Sequence, residues 1–388
     1  MSDQGNSILA DITPKRFLKN FWQKKPCLIR QAIPHYQCPL SPEELAGLAC
    51  EDGVSSRLII EKDGAHPWQV KYGPLTKKDF KKLPETHWTL LVQEVDHYLQ
   101  EITSLRDRFN FIPNWRIDDV MISYAPTHGS VGPHLDSYDV FLLQGMGRRR
   151  WQINADDYTE ADFVPGLELR ILKKFRAKQE WILEPGDMLY LPPGVAHLGF
   201  ALDPCLTLSI GFLAPSRSEL LAHFVEETIS GTPKDLRYSD PDLLPRKNPG
   251  EITADDFFRV RELMQSALKD KKSMDHWFGK YITHRTHHAD TNEVLKTSSA
   301  AFKKLFVKNK LLYRAGDCRC AWYRQKDKLV LFINGESFSF NMDYLPLIKL
   351  ITGKSMLYYD EIKNLSIKTG AIDFLCKLYN RHIWYFDD

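Results

Sequence analysis

The stretch VGPHLDSYDVFLLQGMGRRRW, residues 131–151, and the later EPGDMLYLPPGVAH, 184–197, decide how this chain is read. Side chains alternate along an extended chain, so His134 and Asp136 point to one side and Leu135 to the other. One imidazole and one carboxylate thus arrive from adjacent inward positions. A second imidazole, His197, follows Asp136 by 61 residues, after a Gly-Asp strand and a Pro-Pro turn, where a barrel could return it to the same point. Two histidines and a carboxylate occupy one face of an octahedral iron and leave three positions for a bidentate cosubstrate and dioxygen. An HxD pair alone is more often structural. Joined to the Pro-Gly-Asp…His segment, it predicts a metal site at His134, Asp136 and His197. His128, in the polar THGS loop, reads as solvated, and His284, His287 and His288 read as linker residues.

Outward from this core, residues 115–214 consist of short apolar runs separated by Gly, Pro and Asp, the texture of a β-sandwich or small barrel. The predicted strands are Asp119–Tyr124, Gly132–Asp136, Asp139–Gln144, Arg149–Ile153, Glu180–Leu183, Asp187–Leu191 and Leu206–Leu213. Upstream, residues 14–110 predict an α/β entry region. FWQKKPCLIRQAI, 21–33, reads as a helix end turning at a proline into a short strand, and Ser41 with Glu44 forms a capping-box pattern. In THWTLLVQEVDHYLQEITSLRDRF, 86–109, the residues Leu91, Val95, Tyr98, Ile102 and Leu105 fall at helical spacing.

Downstream, a polar, Pro-rich stretch from Thr232 to Gly250 separates two helical patterns. ITADDFFRVRELMQSALKD, 252–270, carries Phe257, Val260, Leu263, Met264, Ala267 and Leu268 on one apolar stripe, which suits a dimerisation surface. After a linker at 284–294, KLVLFINGESFSF, 328–340, predicts a hairpin turning at Asn334-Gly335, flanked by helices as in a winged-helix-like module. The expected domains are therefore 1–214, 215–285 and 286–388.

Composition narrows the class. The 388 residues are 43 % hydrophobic and 26 % charged, close to globular averages, which excludes a wholly disordered or collagen-like chain. Fifty-two Lys and Arg against 50 Asp and Glu give a formal charge of +2, too near balance for a polycation wrapped on nucleic acid. No secretory signal pattern opens the sequence and no apolar run is long enough to span a membrane. Seven cysteines without a CxxC pair fit reduced thiols in a cytoplasm better than a disulfide framework or zinc ribbon.

The phrases FWQKKPCLIRQ, SPEELAGLA, WRIDDVMISYA, VGPHLDSYDVFLLQGMGRRRW and EPGDMLYLPPGVAH resemble the JmjC-type 2-oxoglutarate oxygenases of the cupin superfamily. The resemblance is greatest to bacterial ribosomal oxygenases that hydroxylate an arginine of a large-subunit ribosomal protein. It is strong over roughly 14–230 and weaker beyond. It implies a double-stranded β-helix holding Fe(II), a helical dimerisation region and a C-terminal winged helix. It also implies oxidative decarboxylation of 2-oxoglutarate by dioxygen, giving succinate and CO2, coupled to hydroxylation of a ribosomal protein, with the enzyme a homodimer.

Residue by residue, the resemblance makes Arg149, 15 residues after His134, the cation that grips the far carboxylate of 2-oxoglutarate. Arg148 and Arg150 have the opposite pleat parity and should face outward. Ser123, Thr207 and Ser209 fall where the family lines its cosubstrate pocket. For a guanidinium entering beside the iron, Tyr138 together with Asp118 or Asp119 is available; strand parity favours Asp119, and a bulge would exchange it for Asp118. Three competing readings use the same residues differently: a non-redox zinc or manganese cupin, a binding module with a vestigial barrel, and a JmjC demethylase acting on another protein. An intact triad argues against vestige, and the basic run KKLFVKNK, 303–310, reads as a solvated helix face rather than a nucleic-acid reader.

Overall fold

The computed structural model describes residues 8–61, 68–167, 169–231, 236–245, 248, 250–284, 295–365 and 368–387. In the entry region, α1 (Pro14–Asn20) starts on Thr13, whose side chain accepts from the Arg16 amide, and buries Phe17. The chain turns through Pro26 into β1 (Cys27–Ile29). In α2 (Pro42–Leu48) both bonds of the Ser41/Glu44 capping box form, as the sequence pattern predicts. Next come β2 (Ser56–Glu61), β3 (Trp68–Tyr72) and α3 (Lys77–Phe80). The long helix expected over 86–109 is instead a strand, β4 (Trp88–Val92), a 3-10 turn at Val95–His97 and a shorter helix, α4 (Gln100–Asp107). Thr89 to Val92 are all buried, a two-sided covering that a central strand meets and a one-faced helix does not. Glu94, at φ 57°, then turns the backbone out of the sheet.

The sandwich is built from β5 (Ile117–Ala125), β6 (Val140–Met146), β7 (Arg149–Asn154), β8 (Gln179–Leu183), β9 (Met188–Leu191), β10 (Ala196–Ala201) and β11 (Cys205–Phe212). An eight-stranded sheet, β1-β9-β6-β11-β5-β4-β2-β3, faces a three-stranded sheet, β10-β7-β8. Gly132–Asp136 is not a regular strand: Gly132 at φ 81° and Pro133 interrupt the ladder, leaving single bridges from Ser130 to Phe200 and from His134 to His197. The partner strand β10 was not foreseen, because AHLGFA lacks the β-branched run that marks a strand.

Strand parity divides the large sheet into two faces. Leu206, Leu208, Ile210 and Phe212 pack with Val120, Ile122, Phe141, Leu143 and Phe17 in the main core. Thr207, Ser209 and Gly211 therefore face the smaller sheet. Between the sheets, Val140, Leu142, Trp151, Ile153, Leu183 and Leu189 form a second apolar cluster.

The helices beyond the sandwich are α5 (Arg217–Gly231), α6 (Ala254–Lys269), α7 (Lys271–Thr283) and α8 (Ser299–Asn309). They are followed by β12 (Leu311–Arg314), β13 (Cys320–Gln325), β14 (Lys328–Ile333), β15 (Glu336–Asn341), α9 (Leu345–Gly353), β16 (Met356–Tyr358), α10 (Tyr359–Lys363), α11 (Lys368–Tyr379) and β17 (Trp384–Tyr385). These elements are shared between two compact units. The first comprises Met1–Ala214, His287–Cys318 and Asp343–Asp388; the second comprises Pro215–Thr286 and Arg319–Met342.

In the first unit the sheet β16-β12-β17 sits with Phe302 and Phe306 of α8, whose rings both lie tilted against that of Phe386. In the second, β13-β14-β15 packs on α7, where a Cβ on Gly279 would lie 2.1 Å from the Phe332 ring. The predicted hairpin turn is there, with Asn334 and Gly335 both left-handed at φ 49° and 80°, as a tight two-residue turn requires. The apolar stripe of α6 stays open to solvent in the single chain: Phe257 is 53 % and Met264 71 % exposed, and Val260 and Leu268 are exposed too. Leu263 is half-buried, and the side chain of Ala267 lies outside the described set, as do the linker residues His287 and His288. Among the described residues no helix is long and apolar enough to cross a membrane.

Candidate metal centre

His197 lies on β10 and faces the large sheet, in register with Ile153 of β7. His134 reaches the same point from the 132–136 loop, held by a reciprocal pair of backbone bonds: His134 N–H to the His197 carbonyl at 3.0 Å and His197 N–H to the His134 carbonyl at 2.8 Å. Gly194 N–H donates to the Asp136 carbonyl at 2.8 Å and closes the loop. The ligand atoms of His134, Asp136 and His197 fall within 4.8 Å of one another. Asp136 stands 4.0 Å from His134 Nε2 and 3.7 Å from His197 Nε2.

Both imidazoles are oriented by backbone. His134 Nδ1 lies 3.0 Å from the Gly132 carbonyl, and His197 Nδ1 3.0 Å from the Val195 carbonyl. A carbonyl only accepts, so each Nδ1 carries the proton and each Nε2 presents a lone pair to the shared point. Burial, with His134 next, holds His197 at about 4, well below an ordinary histidine, so it stays neutral and fit to ligate. His128 is not part of this cluster; its ring lies tilted against that of His87, 5.2 Å between centroids.

Arg149, on β7, is 2 % exposed. Its Nη1 donates to Ser123 Oγ at 3.4 Å and its Nη2 to the Gly199 carbonyl at 3.3 Å, while Nε has no partner. The guanidinium lies 5.0 Å over the Trp151 ring, and burial pushes its pKa below the ordinary arginine value. Among the described residues no carboxylate pairs with it. A buried cation so placed is costly unless something anionic arrives. Arg148 instead pairs outward with Asp203 at 2.7 Å, as its parity predicts, and Arg150 lies over Phe200 at 5.5 Å.

Along the same face runs an ordered series of side chains. Ser123 of β5 is level with Thr207 of β11, whose hydroxyl donates to Gln144 Oε1 at 3.2 Å. One step on, Met121 is level with half-buried Ser209. At the far end Gly211 brings Asp119 and Tyr138 together: a Cβ there would stand 3.5 Å from Asp119 Oδ1 and 4.0 Å from Tyr138 Cε2. Asp119 is held by the Glu94 N–H at 2.9 Å. Burial first, then the carboxylates of Asp96 and Asp118, raises Asp119 to about 7. Asp118 is half-buried at the alternate position, and its charge, after those of Asp136 and Asp119, adds to the burial that raises Tyr138. The shared face thus carries a metal-ligating triad, a buried cation at one end and, at the other, a carboxylate–phenol pair whose phenol is open to solvent.

Sequence reasoning missed two residues that shape this pocket. Gly199 leaves the room that Arg149 and Trp151 occupy, and Gln144 orients Thr207. The first gave no signal because the strand that holds Gly199, β10, is itself unmarked in the sequence. The second has no signal in sequence.

Residues 104–220 match the JmjC domain family model, and residues 262–385 match the ROXA-like winged helix. The chain is 40 % identical over 274 residues to the ribosomal protein uL16 3-hydroxylase of Escherichia coli, covering 71 % of this chain and 72 % of that protein. It is 37 % identical over 280 residues to a probable ribosomal oxygenase of Haemophilus influenzae, covering 69 % of this chain and 67 % of the relative. Among solved structures, that of E. coli ycfD superposes with a TM-score of 0.85 at 33 % identity, over 97 % of this chain and 99 % of ycfD. A structure of YcfD in complex with cobalt and 2-oxoglutarate superposes with a TM-score of 0.81 at 34 % identity, over 96 % and 98 % of the two chains. The sandwich with its His-Asp-His cluster is thus a JmjC fold followed by a ROXA-like winged helix, and the chain belongs to the JmjC-domain ribosomal oxygenases.

Proposed function

We propose that this enzyme is an Fe(II)- and 2-oxoglutarate-dependent hydroxylase of an arginine side chain in a large-subunit ribosomal protein of the uL16 kind. The observation that carries the reading is Arg149: a buried cation with no carboxylate among the described residues, on the same face as a three-ligand metal site. A dicarboxylate that chelates the metal at one end and meets a guanidinium at the other satisfies both. The relative acting on uL16 and the YcfD complex with cobalt and 2-oxoglutarate support it. The zinc or manganese cupin reading leaves Arg149 without a role.

His134, Asp136 and His197 would hold the metal, their geometry fixed by the carbonyls of Gly132 and Val195. When bound, Fe(II) and 2-oxoglutarate supply the oxidising power: dioxygen is split between succinate, formed with loss of CO2, and the substrate C–H bond, which becomes C–OH. No protein acid or base is needed for that step. Arg149 binds the distal carboxylate, with Ser123 and the Gln144-held Thr207 beside it and Ser209 one row further on. Asp119 and Tyr138 receive the substrate guanidinium, with the Asp118 charge behind them. That arrangement positions the target carbon, and position is what the protein contributes to the rate. The name of the E. coli relative points to carbon 3 of the target residue.

We further propose a cytoplasmic homodimer, with the exposed apolar faces of α5 and α6 in the interface. Incubating the purified protein with Fe(II), 2-oxoglutarate and its own ribosomal proteins, then locating any gain of one oxygen atom by peptide mass spectrometry, tests the activity. Hydroxylation on a residue other than arginine would overturn the assignment of Asp119 and Tyr138.

A further inference from the structure

The peptide end of the pocket is held by a segment that leaves the sheet. β4 pairs with β5 only from Leu90 to Val92, opposite Tyr124 to Ile122. Beyond that, on the β4 side, the Val120 amide has no strand to meet. The Asp96 carboxylate takes its place: the Val120 N–H donates to Asp96 Oδ1 at 2.8 Å. Two residues before Asp96, the Glu94 N–H donates to Asp119 Oδ2 at 2.9 Å. Asp119 and the residue after it are therefore both fixed by the short turn 94–96.

That turn is in turn gripped from the C-terminal part of the same compact unit. Asp96 is fully buried, and its other oxygen accepts from Arg106 Nη1 at 2.5 Å. The same nitrogen donates to the Gly316 carbonyl at 2.7 Å. Gly316 itself lies directly on the turn, since a Cβ there would stand 2.1 Å from the Asp96 carbonyl oxygen and 2.7 Å from His97 Cα. Neighbouring contacts run the same way: the Ser355 N–H donates to Asp107 Oδ2 at 2.9 Å, and Asn110 Nδ2 to the Gly353 carbonyl at 3.1 Å. The bonds described here do not include the metal ligands or Arg149.

We propose that Asp96 and Arg106 are positioning residues for substrate recognition, and that the C-terminal segment at Gly316 is the brace that keeps them in place. The C-terminal segment thereby sets how well the peptide is held, while the metal and cosubstrate end is left alone. This rests on the reading of Asp119 as the group that receives the substrate guanidinium.

The test uses the full-length chain and Gly316→Ala, which leaves every bonding group present and only pushes the turn, with Arg106→Met and Arg106→Lys as a second pair. For Arg106→Met, which loses a charge-assisted buried bond, the peptide KM should rise about tenfold or more, and for Gly316→Ala, which displaces the turn, it should rise in the same direction. Apparent 2-oxoglutarate affinity and uncoupled succinate release should stay within about twofold. Arg106→Lys, which keeps the charge, should recover part of the loss. Hydrogen exchange at the Glu94 and Val120 amides should quicken with no change in β7 and β10. Unchanged peptide KM and exchange would overturn the proposal, and so would a parallel fall in 2-oxoglutarate affinity and uncoupled turnover, which marks general loosening. If the wild-type enzyme hydroxylates no arginine peptide, the functional reading fails by itself, and exchange at Glu94 and Val120 still decides whether the brace exists.

Discussion

Arg149 lies against Gly199: its Nη2 donates to the Gly199 carbonyl at 3.3 Å, and a Cβ on residue 199 would stand 2.8 Å from its Nε and 2.6 Å from the Trp151 ring. The guanidinium and the indole occupy the space that a side chain would take. Gly199→Ala should therefore displace the guanidinium, by tenths of an ångström or more, and weaken 2-oxoglutarate binding about tenfold while Fe(II) affinity is kept. Calorimetric titration of cosubstrate into the metal-loaded variant measures this. Equal affinity in variant and wild type would remove the packing role.

Arg149→Met separates two costs. With cosubstrate absent, the wild-type cation is buried without a counter-ion, so methionine of similar reach should leave the melting temperature of the ligand-free chain unchanged or raised. With cosubstrate present, its carboxylate would be left unpaired, at roughly 3–5 kcal/mol, a hundredfold or more in affinity. Melting curves with and without 2-oxoglutarate should show a ligand-induced rise in the wild type and none in the variant. A marked loss of stability in the ligand-free variant would mean that Arg149 is chiefly structural.

His134→Ala and Asp136→Ala should abolish Fe(II) retention and succinate production with little change in circular dichroism. His134 and Asp136 belong to a loop closed by backbone bonds to His197 and Gly194, which survive the substitutions. Metal analysis after desalting reads the first effect. Persistent succinate production in either variant would dismiss the triad.

The triad was legible because its signal does not depend on secondary structure. His134 and Asp136 share a side whether 132–136 is a strand or, as found, a loop with single bridges, and the Pro-Gly turn delivers His197 in either case. Arg149 was legible from spacing together with resemblance, and its burial then gave it a physical reason. What sequence could not show was tertiary. Leu91 and Val95 fit a helical period, yet Leu91 belongs to a central strand and Val95 to the turn after it, because neighbours on both sides override local spacing. The role of Asp96 was equally hidden, since a buried carboxylate that replaces a missing strand looks like any surface acid until Val120 and Arg106 are seen around it.

The open stripe on α6 predicts self-association. Phe257, Phe258 and Met264 are more than half exposed, as are Val225 and Ile229 of α5, an arrangement that monomers rarely leave uncovered. Light scattering of the intact chain should give a dimer at micromolar concentration, and Phe258→Asp with Met264→Asp should give a monomer whose metal content is unchanged. A wild-type monomer would leave the stripe without its proposed partner.

Asp119 should make peptide binding depend on pH. Burial, with Asp96 and Asp118 next, raises it from 3.8 to about 7. Between these values the folded chain holds a proton that the unfolded chain has released, so Asp119 lowers stability as pH rises from 4 to 7, and the cost is complete above 7. An arginine substrate needs the ionised form. Below pH 7 its binding must expel the proton, so apparent peptide affinity should climb by at most about tenfold per pH unit towards 7 and then level. Asp119→Asn should bind peptide weakly at every pH, lose that slope, and be more stable than wild type at pH 8 with little difference at pH 4. Uncoupled 2-oxoglutarate decay, which needs only metal and cosubstrate, should follow the same pH profile in both proteins. If Asp119→Asn keeps the slope and Asp118→Asn loses it, the guanidinium is received by Asp118; if both variants hydroxylate an arginine peptide normally, the target side chain is not recognised by its charge.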